Sequence, residues 1–341
     1  MSNMSRVLEK VSLKPLNTFG VQAYARWYAD INTVKDLQEL GASRQLSQEP
    51  LLILGGGSNM LFTKDYDGLV LHINIKGVTS EIVGDSVFVK VGAGEVWNDL
   101  VNHCVDHEFA GIENLSLIPG YVGASPIQNI GAYGVELMDV FHSCKAYEIG
   151  TGDIREFSNS DCRFSYRDSI FKNELKGQYI ITEVTYKLSQ IFSPKLSYGA
   201  IAHELKNRGI LNPSIKDVSE VVSSIRVSKL PDPTTIGNAG SFFKNPIVDR
   251  GDFIHIQSAF PDIVNYPLEN ERIKLAAGWL IEQCGWKGKT IGKTGTWKNQ
   301  ALVLVNHGNA TGEEIFELSS QIIKSVQIKF GVTLEREVNI I

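Results

Sequence analysis

The chain has 341 residues, with Lys+Arg 33 against Asp+Glu 38 and a formal net charge of −5. That length suggests about two domains of ~150 residues each, enough to bury real cores without disulfide or metal staples. A hydrophobic content of 43% and a charged content of 21% exclude a disordered or collagen-like chain, and the acidic balance argues against nucleic acid as the main partner.

In chain order, the N-terminal stretch Met1–Lys14 has no apolar h-region and no small-residue cleavage site, so no leader is expected. No window approaches the roughly 18 apolar residues of a membrane span, and a cytoplasmic protein is expected. Leu51–Leu54 is a strand-sized apolar run that stops at Gly55-Gly56-Gly57-Ser58-Asn59, a buried strand entering a glycine loop. Val70–Ile73 and Val87–Val91 read as further strands. Trp97–Glu108 reads as a helix, with Trp97, Leu100, Val101, Cys104 and Val105 at helical spacing. From Gly111 to Gly134 the chain reads as loop with five glycines, a length uncommon unless the loop is functional. Tyr179–Leu188 alternates as a strand. The stretch 193–235 carries four prolines, one helix at Val218–Val227 and a domain boundary near its end.

Ala301–Val305 reads as a buried strand. Thr311 and Glu314 fit a capping box, and the helix that follows carries Ile315, Leu318, Ile322, Val326 and Phe330 on one face before a C′ glycine, Gly331. A last strand is expected over Val332–Ile340, with Val332, Leu334, Val338 and Ile340 on one side and Thr333, Glu335, Glu337 and Asn339 on the other. The mixture is α+β and lacks the regular alternation of a doubly wound sheet. The four cysteines, Cys104, Cys144, Cys162 and Cys284, have no CxxC spacing and read as small buried hydrophobes.

Several motifs imitate chemistry. Gly288-Lys289-Thr290 and Gly292-Lys293-Thr294 end like a phosphate loop, but Gln283 and Lys287 stand where its first glycine belongs. His103 and His107 have metal-ligand spacing without a third ligand, and no metal is expected. Ser241-Phe-Phe-Lys244 with Lys293-Thr294-Gly295 matches two elements of penicillin-recognising serine enzymes. The middle element is missing, and Pro246 opposes the helix that this reading needs. The glycine loop at 55–59 offers unhindered N–H groups to a phosphate, although a plain turn explains it as well. Ile118–Gly134 offers small residues with Ser125, Gln128 and Asn129 along an extended ligand.

Taken together, Asn17-Thr-Phe-Gly20, Gly55–Asn59, Ile118–Gly134, Tyr166-Arg-Asp-Ser169, Gly237-Asn-Ala-Gly-Ser-Phe-Phe-Lys-Asn-Pro246 and Leu334–Val338 resemble the UDP-N-acetylenolpyruvoylglucosamine reductase family. Six short motifs in one order span about residues 12–338. Ser197-Tyr-Gly199, in an inserted stretch, resembles the longer, type I branch. The resemblance implies an FAD-binding fold of the vanillyl-alcohol oxidase (PCMH) type, built of two α+β subdomains at 12–77 and 78–230, with a C-terminal α+β substrate domain at 231–329. The terminal strand, 330–341, is expected to return to the first subdomain.

The family's reaction reduces an enolpyruvyl ether to a lactyl ether in peptidoglycan precursor synthesis: a hydride passes from NADPH through FAD to C3, and C2 is protonated. Motif by motif, the resemblance makes Ser241 the proton donor, Arg167 the carboxylate-holding cation and Glu337 the last catalytic group; Glu335 shares the Glu337 face and is the obvious wrong choice. It assigns Gly55, Gly56, Gly57, Ser58, Asn59, Leu61, Ile118, Pro119, Gly123, Ser125, Gln128, Asn129, Gly131, Ile181 and Arg226 to noncovalent FAD. It assigns Tyr133, Tyr198, Lys229, Asn245, Tyr266, Lys287 and Gln300 to the substrate, UDP-N-acetylglucosamine enolpyruvate, with Tyr198 closing over the nucleotide. A monomer is expected. Arg336 stands where some relatives carry Pro, beside Glu337. Two rival readings are a flavin oxidase of the same fold on another substrate and a non-catalytic anion-binding module.

Overall fold

The computed structural model describes residues 7–43, 46 and 49–341; the first six residues of the N-terminal stretch read for a leader lie outside them. The chain divides into two units, one of residues 1–11, 25–56 and 67–226, the other of 12–24, 57–66 and 227–341.

The first unit carries two sheets. One has the strand order Leu8–Ser12, Tyr24–Ile31, Tyr66–Ile73, Leu51–Leu54, and its last pair is parallel, with Leu54 opposite His72. The other is an antiparallel run of five: Ile154–Ser158, Phe141–Glu148, Tyr179–Ser189, Ser86–Gly92 and Val78–Val83. Alternation is clean where one face is buried: Val87, Val89 and Val91 are inside while Lys90 is outside. The helix Trp97–Asp106 buries the face its spacing predicts, Trp97, Leu100, Val101, Cys104 and Val105. Trp97 meets Tyr186 edge to face at 5.8 Å, and its Nε1 donates to the Leu115 carbonyl at 2.9 Å. That bond ties the long glycine-bearing segment to the core. The segment is not bare loop: it holds short 3-10 turns at Glu113–Leu115 and Val122–Ala124.

The second unit pairs Gly237–Ser241, Val303–Asn306, Thr294–Thr296 and Thr290–Ile291 in one antiparallel sheet, and Ile247–Asp249, Arg272–Leu275 and Asn265–Pro267 in another. The long helix Gly312–Phe330 starts with the expected capping box: Thr311 Oγ1 accepts from Glu314 N at 3.2 Å, and Glu314 Oε2 accepts from Thr311 N at 2.7 Å. Gly331 ends it at φ +72°. Ile315, Leu318, Ile322, Val326 and Phe330 are buried in this unit's core.

Among the described residues, five helices escape the sequence reading: Val34–Ala42, Asn159–Cys162, Gly199–Asn207, Arg250–Ala259 and Ala277–Gln283. They are short, so few residues register their period. The helix read at Val218–Val227 runs over Ile215–Lys229. The terminal segment is not one strand. Val332, Leu334 and Val338 are inside as alternation predicts, but only Asn339–Ile340 forms a ladder, parallel to Met60–Leu61. Cys104, Cys144 and Cys162 are buried and Cys284 is half-buried. Among the described residues, no helix is long and apolar enough to cross a membrane, and no group of three His, Cys, Asp or Glu side chains stands where it would hold a metal.

Two stability measurements follow from these contacts. Thr311→Ala removes half of the capping box and is expected to cost about 1 kcal/mol, read as a lower urea midpoint at unchanged slope. The Tyr186 phenol is fully buried, and burial pushes its pKa above the ordinary value against the lowering effect of its bond to Ser125. Below about pH 9 both folded and unfolded forms are protonated and its contribution is constant. Above that, the unfolded chain gains by ionising, so stability falls as pH climbs toward the folded value. The urea midpoint is therefore expected to drop between about pH 9 and about pH 11, and Tyr186→Phe is expected to shrink that drop by roughly 1 kcal/mol.

Candidate active site

The apolar strand Leu51–Leu54 ends in the first two glycines, where Tyr121 leaves no room for a side chain. A Cβ on Gly56 would sit 3.1 Å from both Gly120 Cα and Tyr121 Cδ1. Gly57, in the other unit, has φ +59°, and a Cβ there would lie 1.9 Å from the Leu16 carbonyl oxygen. Among the described residues, the N–H groups of Gly55, Gly56 and Gly57 donate to no other backbone group. Bulk is excluded and donors are open, which suits the diphosphate of a dinucleotide.

In the 118–134 segment, Gly123 donates to the Ala93 carbonyl at 2.8 Å, and a Cβ on it would meet Ala93 Cβ at 2.6 Å. Ser125 is buried, with Oγ bonded to the Val122 carbonyl at 2.7 Å and to Tyr186 Oη at 2.9 Å. Asn129 is buried too: its Nδ2 donates to Glu136 Oε2 and the Ser165 carbonyl, and its Oδ1 accepts from Met138 N. The Asn129 side chain therefore braces the segment from within. Ile181 lies buried in the strand Tyr179–Ser189, Leu61 is buried in the second unit, Ile118 and Gln128 are half-buried, and Pro119 is exposed. The backbone is left-handed at Leu117, Asn129 and Tyr133, with φ of +57°, +44° and +51°. Such strain persists only where surrounding contacts over-determine it, and it gathers at functional sites.

Arg167 is also left-handed, at φ +56°. It sits at the tip of a tight turn closed by Ser165 N to Asp168 O at 3.2 Å and Asp168 N to Ser165 O at 3.1 Å. Its Nη2 donates to the Gly131 carbonyl at 2.7 Å, which joins the two motifs directly. Asp168 accepts from Asn173 Nδ2 at 2.8 Å. Tyr133 packs edge to face on Tyr198 at 5.2 Å, with the Arg226 guanidinium nearby. Burial pushes the Tyr133 phenol up, and Arg226 opposes that shift. Burial in turn pulls the Arg226 guanidinium down; Tyr133 opposes this and Arg167 reinforces it. The Arg226 Nε is buried without a hydrogen-bond partner among the described residues. A guanidinium that feels a second one nearby and has an unused donor makes this part of the first unit receptive to an anion.

The second unit carries Ser241 at the end of Gly237–Ser241, next to buried Phe242 and Phe243. The C-terminal tail runs beside it: Glu337 N donates to the Phe242 carbonyl at 2.8 Å, and Lys244 N donates to the Glu335 carbonyl at 2.9 Å. Asn59 Nδ2 donates to the Glu337 carbonyl at 3.2 Å. Ser241 and Glu337 thus stand on adjacent extended segments. The neighbouring carboxylate, Glu335, is exposed and paired with Lys244 Nζ at 2.5 Å. Arg336 turns to the long helix, donating to Ser319 Oγ at 2.8 Å and Ser320 Oγ at 2.7 Å, and stacks 4.3 Å over Phe316. Lys244 lies on extended chain rather than one helical turn from Ser241, which excludes the penicillin-enzyme arrangement.

Of the residues matched to substrate contact in this unit, Asn245 Oδ1 caps the N–H of Ala277 at 2.9 Å. Lys287 is held by Glu282 at 2.9 Å. Tyr266 is exposed, with Lys274 Nζ 5.9 Å above its ring. Gln300 Oε1 accepts from Leu302 N at 3.3 Å, and Lys229 is exposed at the end of Ile215–Lys229. Sequence reasoning missed Asn114, fully buried, whose Nδ2 holds the carbonyls of Tyr133 and Lys195. It also missed Asn238. An Asn and a Gly two apart inside a strand pattern are the bulge signal that would have found Asn238; nothing local marks Asn114.

A family profile described as the C-terminal domain of UDP-N-acetylenolpyruvoylglucosamine reductase matches residues 232–341, and one described as an FAD binding domain matches 27–158. The UDP-N-acetylenolpyruvoylglucosamine reductase of Flavobacterium johnsoniae is 50% identical over 97% of this chain and 98% of its own length; that of Pseudomonas aeruginosa is 48% identical over 97% and 98%. Two crystal structures share the fold. The reductase from Thermus caldophilus has a TM-score of 0.68 at 24% identity over 99% of both chains, and 6-hydroxy-D-nicotine oxidase from Arthrobacter nicotinovorans has 0.54 at 13% identity over 97% and 87%. With near-complete matches at about half identity, the chain belongs to the UDP-N-acetylenolpyruvoylglucosamine reductase family, FAD-dependent oxidoreductases of peptidoglycan precursor synthesis.

Proposed function

We propose that this chain, as a cytoplasmic monomer, reduces UDP-N-acetylglucosamine enolpyruvate to UDP-N-acetylmuramate with NADPH as the reductant and Ser241, Arg167 and Glu337 as its catalytic residues. The observation that carries the reading is the 2.8 Å bond from Glu337 N to the Phe242 carbonyl, which holds a carboxylate-bearing segment against the residue after Ser241. The residues that would hold FAD are Gly55–Asn59 and Leu61, then Ile118, Pro119, Gly123, Ser125, Gln128, Asn129 and Gly131, with Ile181 and Arg226. Noncovalent FAD supplies hydride transfer, from NADPH to C3 of the enolpyruvyl ether.

Ser241 gives its Oγ proton to C2. A hydroxyl is a weak acid in water, but the acceptor here is a carbanion-like carbon basic enough to take it. Arg167 grips the substrate carboxylate, and its charge offsets the negative charge that builds there as C2 gains electron density. The tight turn at Tyr166–Arg167 limits the motion of that guanidinium. Glu337 either accepts a hydrogen bond from the enolic acid or carries a proton itself. The diphosphate is met by local positive charge, which a chain of net −5 must concentrate at the site. Lys229 and Lys287 serve there, the latter leaving or sharing Glu282, while Asn245, Tyr266, Gln300 and Tyr133 line the sugar nucleotide and Tyr198 closes over it.

The test separates two half-reactions under anaerobic conditions. NADPH is expected to bleach the flavin, and the enolpyruvyl sugar nucleotide is expected to restore its colour. Rapid recovery with oxygen, and none with the sugar nucleotide, would instead make the protein an oxidase of the same fold. Ser241→Ala is expected to slow recovery by about 10²-fold or more, with flavin content and NADPH reduction retained; recovery at the wild-type rate would remove Ser241 from the proton-donor role.

A further inference from the structure

We propose that Asn238 is a positioning residue for proton transfer, its side chain locking a β-bulge that sets the direction of Ser241. The inference rests on the reading of Ser241 as the proton donor. In the pairing of Gly237–Ser241 with Val303–Asn306, Asn238 stands opposite Val305 and Ser241 opposite Val303. Ala239 and Gly240 therefore share the space opposite Leu304 alone, the two-against-one count of a bulge. In a regular strand, residues three apart point to opposite faces. Val303 and Val305 lie on one face of their own strand, so the extra residue brings Ser241 onto the face that Asn238 occupies. Without the bulge, every side chain beyond it would flip to the other side.

The Asn238 amide holds this irregularity at three points. Oδ1 accepts from Gly240 N at 3.0 Å, and Nδ2 donates to the Ile236 carbonyl at 3.0 Å and the Pro231 carbonyl at 3.2 Å. Its own N–H donates to the Thr18 carbonyl at 3.0 Å. The side chain is 4% exposed, so water cannot substitute for these bonds. Gly240 takes φ +68°, and nothing lies within 4 Å of a Cβ built on it. A side chain at 240 thus meets a conformational penalty and no steric one, which makes the position a clean probe of the bulge. On the far side the chain is re-anchored at once by Phe242 N to the Leu302 carbonyl at 2.8 Å. Ser241 sits between two fixed points, and only the bulge sets which way its hydroxyl faces.

The experiment measures both half-reactions on flavin-loaded protein by anaerobic stopped flow, at saturating sugar nucleotide. Asn238→Ala and Gly240→Val are expected to slow flavin reoxidation by about tenfold or more and to enlarge its solvent deuterium isotope effect, with NADPH reduction and apparent substrate affinity within about twofold of wild type. Gly240→Asn, a side chain that tolerates left-handed backbone, is expected to react much faster than Gly240→Val. Equal slowing of both half-reactions would make Asn238 a stability residue and overturn the inference, as would full-rate reoxidation in Asn238→Ala. If Asn238→Ala does not fold, equal rates for Gly240→Asn and Gly240→Val overturn it. Ser241→Ala run alongside keeps the two claims apart: slow Ser241→Ala with fast Asn238→Ala sinks only the positioning role, whereas fast Ser241→Ala sinks the donor reading beneath it.

Discussion

Backbone hydrogen bonds between stretches far apart in sequence hold the second unit together and set where its chain ends lie. Asn238 N reaches the Thr18 carbonyl, Thr18 N the Gly57 carbonyl, Glu337 N the Phe242 carbonyl, Asn339 N the Asn59 carbonyl and Ile341 N the Leu61 carbonyl. None of these belongs to a long regular ladder. A buried N–H or carbonyl left unpaired costs as much as a lost hydrogen bond, so each irregular segment is obliged to find these partners. The route the tail takes satisfies them and sets Glu337 beside the segment that carries Ser241.

The first unit meets a different demand. Its backbone is left-handed at four residues with side chains, Leu117, Asn129, Tyr133 and Arg167, each costing of order 1–3 kcal/mol. The offset comes from buried amides turned inward. Asn129 spends its hydrogen bonds on Glu136, Met138 and the Ser165 carbonyl, and Asn114 clamps the Tyr133 and Lys195 carbonyls. Arg167 and Tyr133 are thereby held in conformations that they would not choose alone. The result is a guanidinium pinned to the Gly131 carbonyl rather than free to swing.

Charge follows the same economy. A net charge of −5 repels an anionic substrate at long range, and the response is local. Burial lowers the Arg226 guanidinium and Arg167 adds to that, while the Tyr133 phenol opposes it. Arg336, by contrast, spends its donors on Ser319 and Ser320 of the long helix. Arg336 is next to Glu337 in sequence, but consecutive residues of an extended chain point to opposite sides. Glu335, two residues from Glu337 and on its side, is instead occupied by Lys244.

What the sequence determined by itself was whatever a local period or a contiguous motif can carry. The amphipathic helices at Trp97 and Thr311, the alternating strands at Val87 and Tyr179, the capping box and the glycine loop after Leu54 are all written in consecutive residues. So is the family, whose motifs stand in order along the chain. Short helices such as Ala277–Gln283 were not legible, because two turns hold too few residues for periodicity to outweigh chance. The tertiary structure alone decided the rest. It turned the predicted terminal strand into a tail that pairs with Met60–Leu61 and Phe242–Lys244, bent the strand before Ser241 into a bulge, and made Asn129 an internal brace. The tail's partners lie tens to hundreds of residues away, Asn129 reaches the Ser165 carbonyl across 36 residues, and the bulge is set by a register between strands; the Asn–Gly spacing at 238–240 marks the bulge locally, but no window of neighbouring residues encodes that pairing.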